Sequence, residues 1–383
     1  MTHKDRLSVR GSGCRERLSA WRAGPSTSSL PGGAGLGVDL VLDRLAIVLD
    51  LRGLAVPVVA APMAGGPSTP ALAAAVSAAG GLGFLAGGYK SADQVAAEVE
   101  AVRAVTAAPL GVNLFVVEPY QPDRGALDAY RRSLEPEAAR LGVDLGEPRW
   151  DDDDWHAKLD LVLDLRPDVV SFTFGCPSTD VLRRIAEQGV LSMVTVTSIA
   201  EARLAVARGA ASLSVQGPDA GGHRGTWDLE TEPDRAPLLE LLSRVLDAVE
   251  LPVVAGGGVA AAVDVASVTG LGALAAQVGT AYLLADEAGT NPVHRAALSD
   301  PAWAGTALTR AYTGRWARGL TNRFIAEHPT APAGYPHLHH LTAPLRAAAV
   351  AANDAQVAHM WAGTHHGRTR SGSATEITRS LTP

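Results

Sequence analysis

The stretch SVQGPDAGGHRG, residues 214–225, places an imidazole, an amide and several glycines within twelve positions. An unperturbed imidazole titrates near neutral pH, so His223 is the side chain here best suited to take up or release a proton. Gln216 can both donate and accept hydrogen bonds, and the glycines allow another group to approach the main chain closely. The stretch is therefore either a sharp surface turn or a place where the backbone makes room for a flat ligand.

This stretch begins in one of eight short apolar runs that recur after residue 54. The runs are continuous rather than alternating, as expected for strands that are buried on both faces. Ala-rich amphipathic segments separate them; one opens on Ser198, with Glu201 three residues later, and closes on Gly209. The alternation predicts an α/β fold, a (β/α)8 TIM barrel, rather than an open doubly wound sheet. The predicted strands are residues 56–62, 81–86, 110–116, 168–175, 191–196, 212–217, 252–258 and 273–279.

Composition divides the 383 residues into three parts. Residues 1–40 are basic and then rich in Ser, Gly and Pro, which predicts a flexible N-terminal extension. Residues 41–370 are expected to form the barrel with a C-terminal helical cap. Residues 371–383 are expected to be a flexible tail.

Net charge, hydropathy and cysteine content indicate which partners and which compartment to expect. A net charge of -7 argues against a general nucleic-acid binder. Residues 71–88 are weakly polar but interrupted by glycines, so no membrane partner is expected. Two cysteines, Cys14 and Cys176, are typical of a reducing cytoplasm, and Cys176 is interpreted as a small buried residue. We therefore expect a cytoplasmic protein that acts on a small molecule, with a homodimer left open.

Glycine clusters follow the seventh and eighth predicted strands, where this fold often holds phosphate. Gly256, Gly257 and Gly258 can present consecutive backbone N–H groups to an anion. Gly279 and Thr280 are predicted to open a helix, which adds further N–H donors and a hydroxyl. Ordinary tight turns are the alternative.

Polar groups at other strand ends could recognise a flat ring attached to such a phosphate. Asn113 and Gln216 carry amides that suit the carbonyl and N–H edge of a flavin. Met63 ends the first strand and is expected either to pack on a ring face or to fill the core.

Two clusters resemble metal sites, but neither has the spacing of one. The run Asp151 to Asp154 is interpreted as a solvated helix start, because no suitably spaced His or further carboxylate accompanies it. His365, His366 and the histidines of residues 335–340 are interpreted as helix-capping or surface residues. No metal site is predicted.

Six motifs at the predicted strand ends occur together in a fixed order along the chain. They are APMAGG (61–66), GVNLFV (111–116), SFTFGCP (171–177), VQGPDAGGHRG (215–225), AGGGV (255–259) and QVGT (277–280). In this combination the chain resembles the nitronate monooxygenase family, formerly called 2-nitropropane dioxygenases, over roughly residues 50–365. The segment 314–324, GRWARGLTNRF, also looks like the C-terminal part of that family.

The resemblance implies an FMN-dependent barrel that oxidises nitronates with O2 to a carbonyl compound and nitrite. Nitroalkanes stay open as further substrates. The resemblance also implies that Gly221 and Gly222 let the backbone pass the flavin closely and that His223 lies over the substrate as the catalytic residue. Arg224 is interpreted as a structural ion-pair partner. The flavin contacts that carry over are Asn113, Gln216, Gly221, Gly258, Gln277, Val278, Gly279 and Thr280.

Other functions stay open on the sequence. An enoyl reductase that uses FMN and NAD(P)H shares a similar barrel and Gly-Gly-His loop. A sugar-phosphate isomerase or aldolase would use the same phosphate loops, but a catalytic Lys or Glu at a strand end is expected there, and none stands out. A non-catalytic binder of flavin or phosphate is the third alternative.

Overall fold

The computed structural model describes residues 49–383. The extension predicted for residues 1–40 lies outside the described residues, as does the expected start of the barrel at residue 41. Within the described part, no helix has both the length and the apolar character needed to cross a membrane.

Eight parallel strands form the barrel, and all eight predicted runs contain one. The barrel strands are β1 (Val58–Ala60), β2 (Gly83–Ala86), β3 (Leu110–Phe115), β4 (Val169–Thr173), β5 (Leu191–Val196), β6 (Ser212–Gln216), β8 (Val253–Gly256) and β9 (Ala275–Val278). In space, the strands follow the order β1, β9, β8, β6, β5, β4, β3, β2. A parallel bridge between Val59 and Leu82, the residue before β2, closes the ring. The predicted (β/α)8 architecture is confirmed.

Helices surround the barrel, and their ends follow the sequence signals. The Ser198 hydroxyl accepts the amide of Glu201 at 3.2 Å, and Gly209 ends the helix with a left-handed φ of 90°. The helices are α1 (Pro70–Ala78), α2 (Ala92–Arg103), α3 (Arg124–Leu141), α4 (Trp155–Leu165), α5 (Thr179–Glu187), α6 (Ile199–Arg208), α7 (Leu238–Ala248), α8 (Ala262–Leu271), α9 (Pro292–Ser299), α10 (Arg323–Glu327), α11 (His337–Ala351) and α12 (Ala374–Ser380).

Strand register brings the polar strand ends to one level of the barrel. Asn113 on β3 pairs with Ser171 on β4. Gly256 on β8 pairs with Gln216 on one side and Gln277 on the other. Because the strands are parallel, these residues meet at the mouth where their carboxyl ends converge.

A second, three-stranded sheet lies beyond the barrel and was not predicted. It consists of β7 (Gly222–His223), β10 (Thr306–Thr309) and β11 (Ala317–Leu320), in the order β10, β11, β7. β11 pairs antiparallel with β7, so that Ala317 lies opposite His223. The glycine loop after β6 is therefore part of a small sheet formed with the C-terminal segment.

Residues 371–383 do not form the flexible tail that was expected, because residues 374–380 are helical. Ser373 caps α12, and Ala374 and Leu381 are buried. The Thr378 hydroxyl lies 2.8 Å from that of Tyr282. This last helix packs against α1 and buries Ala374, Ile377 and Leu381 in the apolar core around the barrel.

Candidate functional site

One cavity opens at the carboxyl ends of the barrel strands and brings nearly all the predicted site residues together. Val278 is the exception, because its side chain is fully buried in the apolar core around the barrel. The predicted residues that line the cavity are Met63, Asn113, Gln216, Gly221, Gly222, His223, Gly257, Gly258, Gln277, Gly279 and Thr280.

The glycine rims of β8 and β9 offer free backbone donors. Gly257 and Gly258 have φ values of 114° and 87°, which L side chains rarely adopt. A Cβ on Gly257 would lie 2.9 Å from the carbonyl oxygen of Gly217, so any other residue would force this rim to shift. Four amides at these rims find no hydrogen-bond acceptor within residues 49–383, namely those of Gly257, Gly258, Gly279 and Thr280.

Thr280 differs from the expectation in two ways. It begins a three-residue 3-10 helix, Thr280–Tyr282, rather than a regular α-helix. Its hydroxyl accepts the Gly363 amide at 3.0 Å, because the C-terminal segment crosses this rim. The backbone amide of Thr280, more than its side chain, is thus available to a ligand.

Two amides on the cavity floor are oriented by neighbouring strands. Asn113 donates from Nδ2 to Ser171 Oγ at 2.9 Å and to Thr173 Oγ1 at 3.0 Å. Gln277 accepts from the Ser214 hydroxyl at Oε1. Within the described residues, Asn113 Oδ1 and Gln277 Nε2 have no partner, so one acceptor and one donor are available at the cavity.

The Gln216 side chain hydrogen-bonds to the backbone of residues 223–225, so its amide is not fully available to a ligand. Its Nε2 donates to the carbonyl of His223 at 3.0 Å, and its Oε1 accepts the amide of Gly225 at 2.8 Å. The side chain therefore holds the segment around His223 against the end of β6, with one N–H and one lone pair left over.

The protein's own backbone explains why residues 221 and 222 are glycines: one is crowded by another segment and the other has a positive φ. A Cβ on Gly221 would lie 2.5 Å from the amide nitrogen of Gly363. Gly222 has a φ of 72°. The close approach that these glycines permit is thus to the C-terminal segment, although both also line the cavity.

His223 projects into the cavity among aromatic rings. Its ring centre lies 5.5 Å from that of Trp361 and 5.7 Å from that of Phe174. Nε2 lies 2.9 Å from Thr313 Oγ1. Burial, together with the positive charges of Arg315 and Arg346, lowers the pKa of His223 to about 3. The imidazole is therefore neutral at physiological pH.

Phe174 has an unusual backbone, with a φ of 76° at the end of β4. Such a conformation costs on the order of 1–3 kcal/mol for a bulky residue and is concentrated at functional sites. It places the ring between His223 and Arg315, whose guanidinium carbon lies 4.1 Å from the ring centre.

Several cavity residues were missed by the sequence analysis. His294 and His359 line the cavity, and each has a buried ring nitrogen without a partner among the described residues. Burial lowers the pKa of His294 to about 4. His365 lies at the surface, as expected, but its ring contacts the Gly258 carbonyl and lines the cavity. His366 is not a surface residue: it is buried, and its ring lies 2.7 Å from the Trp303 carbonyl. A lone histidine distant in sequence carries no pattern that could have indicated this.

Arg224 is structural, but it is not the expected ion-pair partner. It is buried and donates to the carbonyls of Gly217 and Gln216. Within residues 49–383, no carboxylate lies within 4.0 Å of it. Cys176 is buried as expected, and burial raises the pKa of its thiol to about 11.

The acidic run before α4 ties two loops together rather than facing solvent throughout. Asp153 is paired with buried Lys158 at 2.8 Å and accepts the Tyr89 amide at 2.8 Å. Asp154 accepts the amide of Ala92 at 3.1 Å. In the described part of the chain, no group of three or more potential ligands could hold a metal ion.

Comparison with known proteins agrees with this geometry. The profile of the family described as Nitronate monooxygenase matches residues 49–383. A nitronate monooxygenase from Pseudomonas aeruginosa is 38% identical over 347 residues, covering 86% of this chain and 96% of that protein. The crystal structure of a nitroalkane oxidase from Streptomyces ansochromogenes superimposes with a TM-score of 0.82 at 46% identity, covering 86% and 95%. FabK from Thermotoga maritima is more distant, with a TM-score of 0.66 at 25% identity and coverage of 86% and 93%.

Proposed function

Because the chain belongs to the nitronate monooxygenase family, we propose that it is an FMN enzyme that oxidises alkyl nitronates with O2 to a carbonyl compound and nitrite. The observation that carries the proposal is the meeting of two glycine rims with free amides and a neutral imidazole in one cavity. When bound, the flavin supplies the electron acceptor for the reaction.

The residues present fit FMN. The unpartnered amides of Gly257 and Gly279 suit a phosphate, and a Cβ on Gly257 would displace this rim. Asn113 Oδ1 and Gln277 Nε2 suit the donor and acceptor edge of a flavin ring. Met63 lines the cavity beside Gly279, in position to pack on a ring face. Gly221, Gly222, Gly258 and Thr280 complete the proposed cofactor-binding set.

His223 is proposed to hold or accept a proton at Nδ1. The Thr313 hydroxyl lies 3.4 Å from the Arg315 carbonyl, which gives its own proton an acceptor. Thr313 Oγ1 can then accept the N–H of His223 Nε2, which leaves Nδ1 as the basic atom. A neutral imidazole can take the α-proton of a nitroalkane, which is acidic because the nitro group delocalises the charge; once protonated, it can hold the resulting nitronate anion.

The proposal also covers the cellular compartment, the role of residues 1–40 and the oligomeric state. The buried free thiol of Cys176 is compatible with a reducing cytoplasm. We expect residues 1–40 to be dispensable for flavin binding, and a homodimer stays an alternative to a monomer.

The test is anaerobic titration of the purified yellow protein with propyl-2-nitronate and, separately, with NADPH. The proposal expects bleaching of the flavin absorbance by the nitronate and steady nitrite release once air is admitted. Bleaching by NADPH alone, with no nitrite from any nitronate, would assign the protein to the enoyl reductase alternative. A colourless protein that FMN does not bind would exclude both.

A further inference from the structure

The cavity that would hold FMN has no permanent positive charge on its walls. Among the described residues, neither a lysine nor an arginine lines it. The titratable side chains that line it are Asp219, His223, His294, His359 and His365. Burial lowers the pKa of His223 to about 3, that of His294 to about 4 and that of His359 as well, so these three rings are neutral at pH 7. This leaves His365 as the cavity-lining side chain that can supply a cation to a phosphate.

His365 lies directly beside the glycine rim of β8. Its Nδ1 contacts the Gly258 carbonyl oxygen. A Cβ built on Gly258 would lie 3.7 Å from Cε1 of the His365 ring, and Cε1 is bonded to both ring nitrogens, so Nε2 is also next to the rim. Nε2 has no hydrogen-bond partner within residues 49–383, and the side chain is exposed.

The backbone on both sides of His365 is tied to the cavity rims. Thr280 Oγ1 accepts the Gly363 amide at 3.0 Å, and the Asp219 carbonyl accepts the Thr364 amide at 3.2 Å. A Cβ on Gly363 would lie 2.6 Å from the Asp219 carbonyl oxygen, so the segment fits closely between the two loops. The position of His365 at the rim is therefore fixed by its neighbours, although its own side chain is exposed.

The contact with Gly258 decides which form of His365 can bind an anion. A carbonyl oxygen only accepts hydrogen bonds, so Nδ1 must carry a proton. In the neutral ring, Nε2 is then an acceptor and cannot bond to a phosphate oxygen. The imidazolium carries a second N–H at Nε2, which can form a charge-assisted hydrogen bond. Only the protonated form of His365 can therefore bind a phosphate.

The charged groups around His365 leave it without an ion-pair partner. Those on the elements packed against it are Asp219 in the loop after β6, Asp264 on α8, Arg318 on β11 and Arg368 on the following turn. Arg368 and Asp264 pair with each other at 3.2 Å. In the part of the chain that the structure describes, no carboxylate lies within 4.0 Å of His365.

Asp219 makes a cation at this rim more valuable. Its Oδ2 would lie 3.7 Å from a Cβ on Gly258, the same distance as His365 Cε1. A phosphate bound to the free amides of the rims would thus be repelled by a nearby carboxylate. The imidazolium of His365 is placed to offset that repulsion.

We propose that protonated His365 donates from Nε2 to the phosphate of FMN, so that the protein prefers FMN to riboflavin and binds FMN more tightly at lower pH. The inference rests on the proposed function, and it adds a cofactor-binding residue from the C-terminal segment to the glycine rims.

The experiment titrates the flavin-free full-length protein with FMN and with riboflavin at pH 6.5 and pH 8.5, following flavin fluorescence. We expect the Kd for FMN to rise about fivefold between these pH values, the effect of one ion pair at a solvent-exposed site. The Kd for riboflavin, which has no phosphate, should stay constant. A phosphate monoester has a second pKa of about 6, so its own loss of a proton would strengthen FMN binding as the pH rises, which is the opposite sign.

Two variants separate charge from structure. His365→Asn keeps an N–H for the Gly258 carbonyl but has no proton to gain, so its FMN Kd should be about fivefold above wild type at pH 6.5 and should not rise with pH. Its riboflavin Kd should be that of the wild type. His365→Lys keeps a positive charge at both pH values and should bind FMN equally well at both. The matched control is His156→Asn, at an exposed histidine on α4 that does not line the cavity, and it should behave as the wild type.

Three results would overturn the inference. They are an FMN Kd that does not rise with pH in the wild type, an equal rise in His365→Asn, and equal losses of FMN and riboflavin affinity in that variant, which would indicate a structural role only. If His365→Asn does not fold, the wild-type comparison of the two flavins decides the question. A protein that binds FMN with the expected pH dependence but releases no nitrite from any nitronate would refute the proposed function and leave the role of His365 intact.

Discussion

His223 Nε2 and Thr313 Oγ1 lie 2.9 Å apart, although ninety residues separate them along the chain. This hydrogen bond occupies Nε2 and leaves Nδ1 as the ring nitrogen without a hydrogen-bond partner among residues 49–383. It also links the glycine loop after β6 to the turn that leads into β11.

Replacing Thr313 by Val is expected to lower kcat by about tenfold, because the imidazole loses the partner that sets its tautomer. Flavin content should not change, since Thr313 does not line the cavity. Steady-state nitrite release measures kcat, and absorbance near 450 nm measures the flavin. Thr309→Val, at a buried threonine that only caps the Ala311 amide, is the control. A normal kcat in Thr313→Val would contradict the role of this bond.

The lowered pKa of His223 predicts a pH dependence of stability. In the unfolded chain the imidazole gains a proton below pH 6.5, whereas in the folded protein it does so only near pH 3. The unfolded state therefore binds more protons between these values, and the free energy of unfolding must fall as the pH falls through this window. The slope from this residue is at most about 1.4 kcal/mol per pH unit.

Chemical denaturation at pH 8 and pH 5 checks this sign. The wild type should lose more stability on acidification than His223→Asn, which has no proton to gain. The buried neutral histidines His294 and His339 act in the same direction, but they are common to both proteins and cancel in the difference. An identical pH dependence in the two proteins would show that His223 is not held neutral.

Gly257→Ala should abolish tight flavin binding. The new Cβ must adopt a φ of 114° and would approach the Gly217 carbonyl oxygen to 2.9 Å, so the rim has to move. We expect a loss of stability of about 1–3 kcal/mol and a rise in the FMN Kd of at least about tenfold. Fluorescence titration of the flavin-free protein with FMN measures this Kd.

The matched control is Gly270→Ala on α8, where a Cβ meets nothing within 4 Å. Because Ala favours helix more than Gly by up to about 1 kcal/mol, this variant should be as stable as the wild type or more so, with FMN binding unchanged. Flavin binding that survives in Gly257→Ala would place the phosphate elsewhere.

Lys158→Met is expected to destabilise the fold by about 3–5 kcal/mol, because it leaves Asp153 buried without its cation. Burial already raises the pKa of Asp153 to about 6, against the lowering effect of Lys158. The double variant with Asp153→Asn should recover much of the loss, since Asn can still accept the Tyr89 amide. Urea unfolding of the three proteins measures the coupling, and strictly additive losses would argue against it.

The barrel was predictable because its strands are buried on both faces and therefore appear as continuous apolar runs. The ends of α6 could also be predicted. Ser198 caps its start through a local hydrogen bond, and Gly209 ends it through a left-handed backbone conformation. At the site, Asn113, Gln277 and the glycine rims could be found because each lies in the carboxyl-terminal half of a strand or directly after it.

The rest depends on contacts that no local pattern encodes. The two-residue strand at Gly222–His223 exists only because Ala317 and Arg318 pair with it. Arg315 lies in the segment 314–324 that resembles the C-terminal part of the family, but nothing in that segment reveals that the guanidinium is buried with no carboxylate of residues 49–383 within 4.0 Å. From the sequence alone, the close approach of a ligand explains the glycine at position 221. The structure explains it by the close approach of the backbone at Gly363, which leaves no room for a Cβ.

The pairing of β7 with β11 has a practical consequence for anyone who wishes to exchange loops between relatives. A graft of the Gly-Gly-His loop alone would lack β11, the strand with which the loop pairs. It would also lack Thr313, which hydrogen-bonds to the imidazole. Chimeras that swap residues 214–225 together with residues 306–320 should keep their imidazole in place, so these two distant pieces form a single unit of exchange.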